Sequence, residues 1–340
     1  MSAAIHILHG PPGPGARDRL RRRYLHTARR SPGAALWLAP SETALAEVSA
    51  NLLRSPDAAD NPKALLAPNL FTFAAFAEEI LRRNAPGWRP LPEALRRLLL
   101  DDAARELRNR GELSYYHRVA ETRGFLDAAA GTVEELKQAG IGPEDLARAA
   151  ESLDSGAGRA RVAACAAILG EYRRRTAAAR RADAEERLRR AAGLIAAGKC
   201  PPFDAVRAAF LDGFDRFTAG ELAVLRALAE RCDEVWVSLP GDGAEAGELF
   251  QRPRATRALL ESLAPGSHVE RIPVPQTGRP YGLLHLERQL FRPASGAGPD
   301  DAAGVRILEA PGALGEARMV ARAVRELLAR GTDPGAIVVT

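Results

Sequence analysis

Ala4-Ile-His-Ile-Leu-His-Gly10-Pro-Pro-Gly13-Pro-Gly15-Ala16-Arg17 is the stretch that decides the fold. Ala4–His9 reads as a short buried strand, Gly10–Gly15 as a turn, and the run from Ala16 to Arg30 as a helix. Strand, glycine turn and helix in that order are the layout of a phosphate-binding loop, G-x-x-x-x-G-K-[ST]. In that pattern backbone N–H groups cradle phosphates, Lys neutralises them and the hydroxyl holds Mg²⁺. Here glycine stands at 10, 13 and 15, but Ala16 takes the Lys position and Arg17 the Ser/Thr position. Pro11, Pro12 and Pro14 carry no N–H and so remove donors from the cradle. Each lost charge-assisted hydrogen bond is worth roughly 1.5–3 kcal/mol, so nucleotide affinity should fall by several orders of magnitude. Arg17 brings a charge, but a planar guanidinium there does not replace an ammonium at the β- and γ-phosphates. From this stretch alone, a Gly/Pro turn with no ligand is the leading reading; its place after the first strand of a parallel sheet raises that of a decayed phosphate site.

Outward from the loop, strand and helix keep alternating. Ala35–Ala39 is a second apolar strand; Ser41 is placed to cap a helix over Glu42–Leu53, its hydroxyl accepting a free first-turn N–H. Asn69–Phe73 is a third short strand, followed by a helix over Ala74–Arg83. This rhythm predicts a parallel sheet with covering helices, an α/β fold. Residues 91–199 contain no convincing strand. Helical spacing runs through Leu91–Arg108, Phe125–Gln138, Arg159–Arg181 and Asp183–Ala197, enough for an all-helical insertion with its own small core. Alternation returns with strands at Val206–Leu211, Glu234–Leu239 and His268–Pro273. Helices over Ala219–Arg231, capped by Thr218, and over Glu248–Leu263 lie between them. Residues 274–282 and 292–304, rich in Pro and Gly, read as linkers. Val305–Glu309, a helix over Gly315–Arg330 and Ala336–Thr340 then predict the start of another β–α–β unit, as in a piece of a longer protein. The domain reading is therefore residues 1–90 plus 200–280 as a sheet domain, 91–199 as the helical insertion, and 281–340 as a connector and the start of a second α/β domain.

Composition narrows the class. The 340 residues are 46% hydrophobic and 27% charged, as in a globular protein. No stretch approaches a membrane span and no signal peptide is recognisable, so a cytoplasmic setting is expected. Cys165, Cys200 and Cys232 are too far apart for a disulfide framework or a metal site and read as buried thiols. The formal charge of +5 is carried almost wholly by Arg, a weak signal because base composition alone can produce it. One local excess stands out: Arg17–Arg30 holds seven Arg and one Asp. Such a helix either follows a phosphate backbone or presents a solvated face. Arg173–Arg175 with Arg180 and Arg181 form a further basic group, read as solvated surface.

Several segments, taken in order, resemble the UvrD-like helicase superfamily, and specifically its inactivated branch, the AddB/RexB-type subunits of bacterial ATP-dependent helicase–deoxyribonucleases. Ala35-Leu-Trp-Leu-Ala-Pro-Ser41 is similar to a motor motif that contacts single-stranded DNA, and Leu70-Phe-Thr-Phe-Ala-Ala-Phe76 to the T-F-x-x-F segment after it. Phe125–Leu146, with its E-L-K-x-x-G-I-x-P turn, resembles the helical insertion of AddB-type proteins. Phe210-Leu-Asp-Gly-Phe-Asp-Arg-Phe-Thr218 occupies the Walker B place, where active relatives read D-E-F-Q-D. Asp212 keeps the metal-binding position, whereas Gly213 replaces the Glu that activates water. Pro240-Gly241-Asp242 takes the place of the third motif. Leu284–Phe291 resembles the connector between motor domains, and Glu309–Thr340 the start of the second.

The resemblance implies a P-loop NTPase-like motor domain with a vestigial nucleotide site at Gly10, Gly13, Gly15, Ala16, Arg17 and Asp212, and no catalytic residue or resident metal. It implies a non-catalytic arm of a machine that processes double-strand DNA ends for recombinational repair. Its partners would be DNA, single-stranded or duplex ends, and a catalytic helicase–nuclease partner chain. A nuclease domain with an iron–sulfur cluster would belong to a C-terminal part not contained in this sequence. The candidate DNA contacts are Ser41, Thr72, Arg21 and Arg22, with Phe73 and Phe76 as base-stacking faces. For the two phenylalanines, at i, i+3 spacing on a helix start, core packing is the competing reading. Two other functions stay open: a working NTPase with an unusual loop, and a protein-interaction scaffold without DNA affinity.

Overall fold

The computed structural model describes residues 4–11, 13–53, 66–241, 249–264, 266–273, 280–290 and 303–340. The chain divides into two compact units, Met1–Val274 and Pro275–Thr340. The first begins with β1 (Ala4–Gly10), α1 (Pro14–Arg30), β2 (Ala35–Ala39), α2 (Glu42–Leu53), β3 (Asn69–Thr72) and α3 (Phe73–Asn84). A helical passage follows: β4 (Arg89–Pro90), α4 (Glu93–Asn109), α5 (Arg123–Gln138), α6 (Pro143–Glu151), α7 (Gly156–Ala178), β5 (Arg181–Ala182) and α8 (Ala184–Ala196). It closes with β6 (Ala208–Leu211), α9 (Ala219–Arg231), β7 (Glu234–Pro240), α10 (Gln251–Leu263) and β8 (His268–Arg271).

Six strands form one sheet in the order β3-β2-β6-β7-β1-β8, every neighbouring pair parallel. This is the α/β fold that the alternation predicts, of the P-loop NTPase-like kind that the resemblance implies. Its strands show why they pair centrally: successive side chains enter two different cores. Ile5, Ile7, Leu36, Leu38, Ala209, Leu211, Val235 and Val237 pack on one face with α3, α8 and α9. Leu8, Trp37, Phe210 and Trp236 pack on the other with Leu20 and Tyr24 of α1 and Val48 and Leu52 of α2. A strand buried on both faces has no polar position to spare, which is the signature of a parallel sheet covered by helices.

The caps follow local chemistry. The hydroxyls of Ser41, Thr72 and Thr218 accept the N–H groups of Ala44, Ala75 and Glu221 at 3.2 Å. Thr72 thus closes its strand and α3 starts at Phe73, one residue before the sequence expectation. At the other end, α1 starts at Pro14, not Ala16, because proline is pre-set for the first helical position and has no N–H to lose there. The α6 helix has no counterpart in the sequence reading, although Pro143 at its first turn and Asp145, which accepts the Gly142 N–H at 2.8 Å, are helix-start signals. Helices α4, α5 and α7 share a separate core around Leu100, Leu107, Val133, Ile168 and Tyr172. In contrast, α8 buries Leu188, Ala191 and Ile195 in the sheet core. Cys200 and Cys232 are buried thiols as expected, and Cys165 is half-buried.

The second unit contains α11 (Tyr281–Gln289) and α12 (Gly312–Ala329). The expected helix is therefore present, but the strands expected at Val305–Glu309 and Ala336–Thr340 are not. Ile307, Val338 and Val339 are exposed, and their segments join no ladder among the described residues. Apolar β-branched sequence favours an extended backbone, but a strand exists only where another supplies its hydrogen bonds. Glu248, the expected start of α10, and Asp242 of the third-motif place lie outside the described residues, as do most of the two expected linkers. No helix among the described residues is long and apolar enough to cross a membrane.

Candidate functional site

The C-terminal ends of β1, β7 and β6 lie side by side, so Gly10, Ser238 and Asp212 come together at one sheet edge. Ligands of open parallel sheets bind at such an edge. Arg17, in the first turns of α1, reaches across it. Its Nε donates to Asp212 Oδ2 at 2.8 Å and its Nη1 to Glu47 Oε1 of α2 at 2.5 Å. Ser238 Oγ donates to the other oxygen, Asp212 Oδ1. Burial works against the Arg17 charge, but Asp212 and then Glu47 more than offset it, and its pKa lies above the ordinary arginine value.

This arrangement gives the loop's substitutions a joint meaning. In a working site a Ser or Thr at position 17 and the Asp at 212 hold Mg²⁺ between them. Here the residue at 17 is itself the cation, and both carboxylate oxygens of Asp212 are engaged within the chain. The residues do not fit a metal-bound nucleotide.

The glycines carry the same message. A Cβ on Gly10 would stand 2.6 Å from the Ile272 carbonyl oxygen, and one on Gly15 would stand 2.9 Å from Ile272 Cγ2. Ile272 follows β8 and is anchored by its N–H to His9 O at 2.8 Å. Gly10 and Gly15 are thus needed for the close approach of this segment, with no phosphate required to explain them. Only three residues separate Gly10, the end of β1, from Pro14, the start of α1. Gly13, Gly15 and Ala16 keep their N–H groups, and Gly13 is the N-cap of α1, with no side chain to close the first turn. A Cβ on Gly241 would collide with the His9 ring, so this glycine too is set by packing.

At Gly213, where the water-activating Glu is missing, φ is +86° and a Cβ would lie 3.3 Å from Pro40 Cγ. Any side chain here meets a strained backbone, costing about 1–3 kcal/mol. Gly213→Glu should therefore lower the thermal midpoint without creating ATP turnover, checked by melting and by phosphate release. A gain of turnover would show that the missing carboxylate is the only defect.

The DNA candidates separate into three groups. Ser41 and Thr72 follow adjacent strands at the same sheet edge as Asp212; Thr72 Oγ1 also donates to Glu42 Oε1 at 3.3 Å. Phe73 and Phe76 are 3% and 1% exposed, which corrects the stacking expectation: no base can reach either ring. Phe73 meets Phe214 at 5.5 Å between ring centres and Phe217 at 6.1 Å, while Phe76 meets Phe203 at 4.8 Å. Phe73 of the T-F-x-x-F segment and both phenylalanines of D-G-F-x-x-F-T are therefore one aromatic contact holding the Asp212–Thr218 loop on α3, while Phe76 packs elsewhere in the same core. The basic stripe of α1 is also less free than its sequence suggests. Arg17, Arg19 and Arg23 pair with Glu47, Glu270 and Glu234, and Arg21 lies beside Asp18 and donates to Asn51 O at 3.2 Å. Arg22 is exposed.

Residues 38–284 match the family described as ADDB, N-terminal. The chain belongs to the AddB N-terminal family. Among similar proteins, an ATP-dependent helicase/deoxyribonuclease subunit of Symbiobacterium thermophilum is 28% identical, over 95% of this chain and 29% of that protein. The protein of the same name from Desulforudis audaxviator is 32% identical, over 86% of this chain and 28% of its own length. That from Desulfitobacterium hafniense is 30% identical over 68% of this chain and 20% of its own. The chain thus spans less than a third of the length of the curated relatives it matches. Asp212, Gly213 and the Phe73–Phe214 contact all fall inside the matched AddB region, whereas Arg17 lies ahead of it.

Proposed function

We propose that this AddB-family chain is a helicase-like arm that has given up nucleotide hydrolysis and serves a helicase–nuclease acting on DNA ends in the cytoplasm. The observation that carries the reading is the Arg17–Asp212 pair: a permanent guanidinium occupies the carboxylate that an active motor uses for Mg²⁺. The relatives' name supports the assignment to a helicase–deoxyribonuclease, and their being subunits supports a partner chain carrying the motor activity. Single-stranded DNA would pass over the edge bearing Ser41 and Thr72, where hydroxyls and helix N-termini suit phosphate oxygens.

The chain is expected to show no ATPase activity, with or without single-stranded DNA, and no heat of Mg-ATP binding in titration calorimetry. Turnover that Asp212→Asn abolishes would sink the reading and support a working NTPase. A DNA titration flat at every salt concentration would instead support an interaction scaffold.

A further inference from the structure

The polypeptide enters and leaves the helical passage α4–α7 through two short extended segments, β4 and β5, which pair in parallel. The pairing sets Arg89 directly opposite Arg181, and Arg180 precedes them on the exit segment. The ladder is fixed by backbone bonds: Arg89 N–H donates to Arg180 O at 3.2 Å and Leu91 N–H to Ala182 O at 3.0 Å.

Three features set this spot apart. First, Arg89, Arg180 and Arg181 form no ion pair with any described carboxylate. Their neighbours do: Arg174 and Arg175 pair with Glu171, Arg187 with Glu78, and Arg189 and Arg190 with Glu186. Second, like charges directly opposite across a ladder destabilise it, and here no acid relieves them. Third, Arg180 has a φ of +50°, which a non-glycine residue adopts at a cost. Guanidinium groups that face each other across one ladder, with no described carboxylate to relieve them, call for an external anion. Beside it Trp88 is half-buried with the Arg190 guanidinium carbon 3.3 Å from its ring centre, a rigid floor for the ladder.

We propose that Arg89, Arg180 and Arg181 form a contact surface for the phosphodiester backbone of single-stranded DNA. The proposal rests on the DNA-handling reading above and adds a place to it, at the root of the helical passage. A guanidinium binds a phosphate through paired N–H donors, and three of them on a preformed ladder match a repeating anion with little ordering cost. Arg181 Nη1 donates to Pro90 O at 3.3 Å, which leaves its remaining donors for a ligand.

The test measures binding of a fluorescent oligothymidylate to the 340-residue chain across a salt series. It compares wild type with Arg89→Ala/Arg180→Gly/Arg181→Ala and with an equal-charge control, Arg118→Ala/Arg161→Ala/Arg226→Ala, at exposed positions elsewhere. Removing three single-strand phosphate contacts should lower the slope of log K against log salt by about 2 and weaken low-salt binding on the order of tenfold to a hundredfold. The control should keep a slope near wild type. Because the ladder variant also loses the like-charge clash and the strained φ, it should melt no lower than wild type. If wild type binds and the ladder variant retains its affinity and slope, this surface is wrong while the DNA reading stands. If wild type does not bind, the DNA reading itself fails. If the variant loses affinity for poly-glutamate but not for the oligonucleotide, the surface belongs to an acidic protein and the proposal is overturned.

Discussion

Asp183→Asn is expected to destabilise the protein by about 3–5 kcal/mol, the cost of leaving a buried charge without its partner. Lys137 of α5 is 5% exposed, and its ammonium pairs with Asp183. The same carboxylate accepts the Tyr172 hydroxyl of α7 at 3.0 Å, and its other oxygen caps α8 through the Glu186 N–H at 3.0 Å. One side chain thus ties α5 and α7 of the helical passage to α8 of the sheet core. Asparagine keeps the cap, since it is as good an N-cap as aspartate, and so the substitution isolates the charge. Lys137→Met/Asp183→Asn should recover most of the loss, because a neutral pair leaves nothing buried and charged. Urea unfolding of the single and double variants checks this. Equal stability of the single and double variants would deny that the pair acts as a unit.

The pH dependence has a definite sign. Burial pushes the Asp183 carboxyl up, but the Lys137 ammonium and the hydrogen bonds to Asp183 more than offset it, so its pKa lies below the ordinary aspartate value. A carboxyl with a depressed folded pKa contributes stability above its unfolded pKa and loses it as pH falls through the folded value. The wild-type midpoint should therefore drop below about pH 4, and the drop should be smaller in Asp183→Asn.

Phe76→Ala is the second large effect, with an expected loss of about 3–5 kcal/mol. The ring is 1% exposed and lies among Phe71, Phe203 and the rest of the sheet core, so its removal leaves a cavity that the β3–α3 connection is poorly placed to fill. Oligonucleotide affinity of the folded fraction should stay unchanged. A DNA-stacking residue would give the opposite pattern, a large loss of affinity with modest loss of stability. Circular dichroism melting beside fluorescence titration separates the two.

The pairing of these two outcomes bears on how the family's motifs are used. Phe73 of the T-F-x-x-F segment meets both phenylalanines of D-G-F-x-x-F-T and so holds the Asp212 loop against α3, while Phe76 packs on Phe71 and Phe203. Substitution there is expected to act on the site through the fold. Ser41 and Thr72, whose hydroxyls cap α2 and α3, remain as the candidate contacts at the strand ends.

From the sequence alone came most of what depends on near neighbours, α6 excepted. The unbroken apolar run Ala35–Ala39, the caps at Ser41 and Thr218, and the departures from the motif patterns at Ala16, Arg17 and Gly213 are local properties of a strand, a helix start or a motif. Their order along the chain was enough for the α/β fold and the AddB resemblance. Tertiary structure decided what depends on residues far apart in the chain. Arg17 meets Asp212 across 195 positions, and that meeting turned a missing hydroxyl into a built-in cation. Ile272 supplied the reason for Gly10 and Gly15, and the packing of two distant Phe-rich segments removed Phe73 and Phe76 from the surface. Val305–Glu309 and Ala336–Thr340 failed as strands for the same reason: hydrogen-bond ladders, ion pairs and ring contacts are made with a partner, and a propensity read along one segment does not contain the partner.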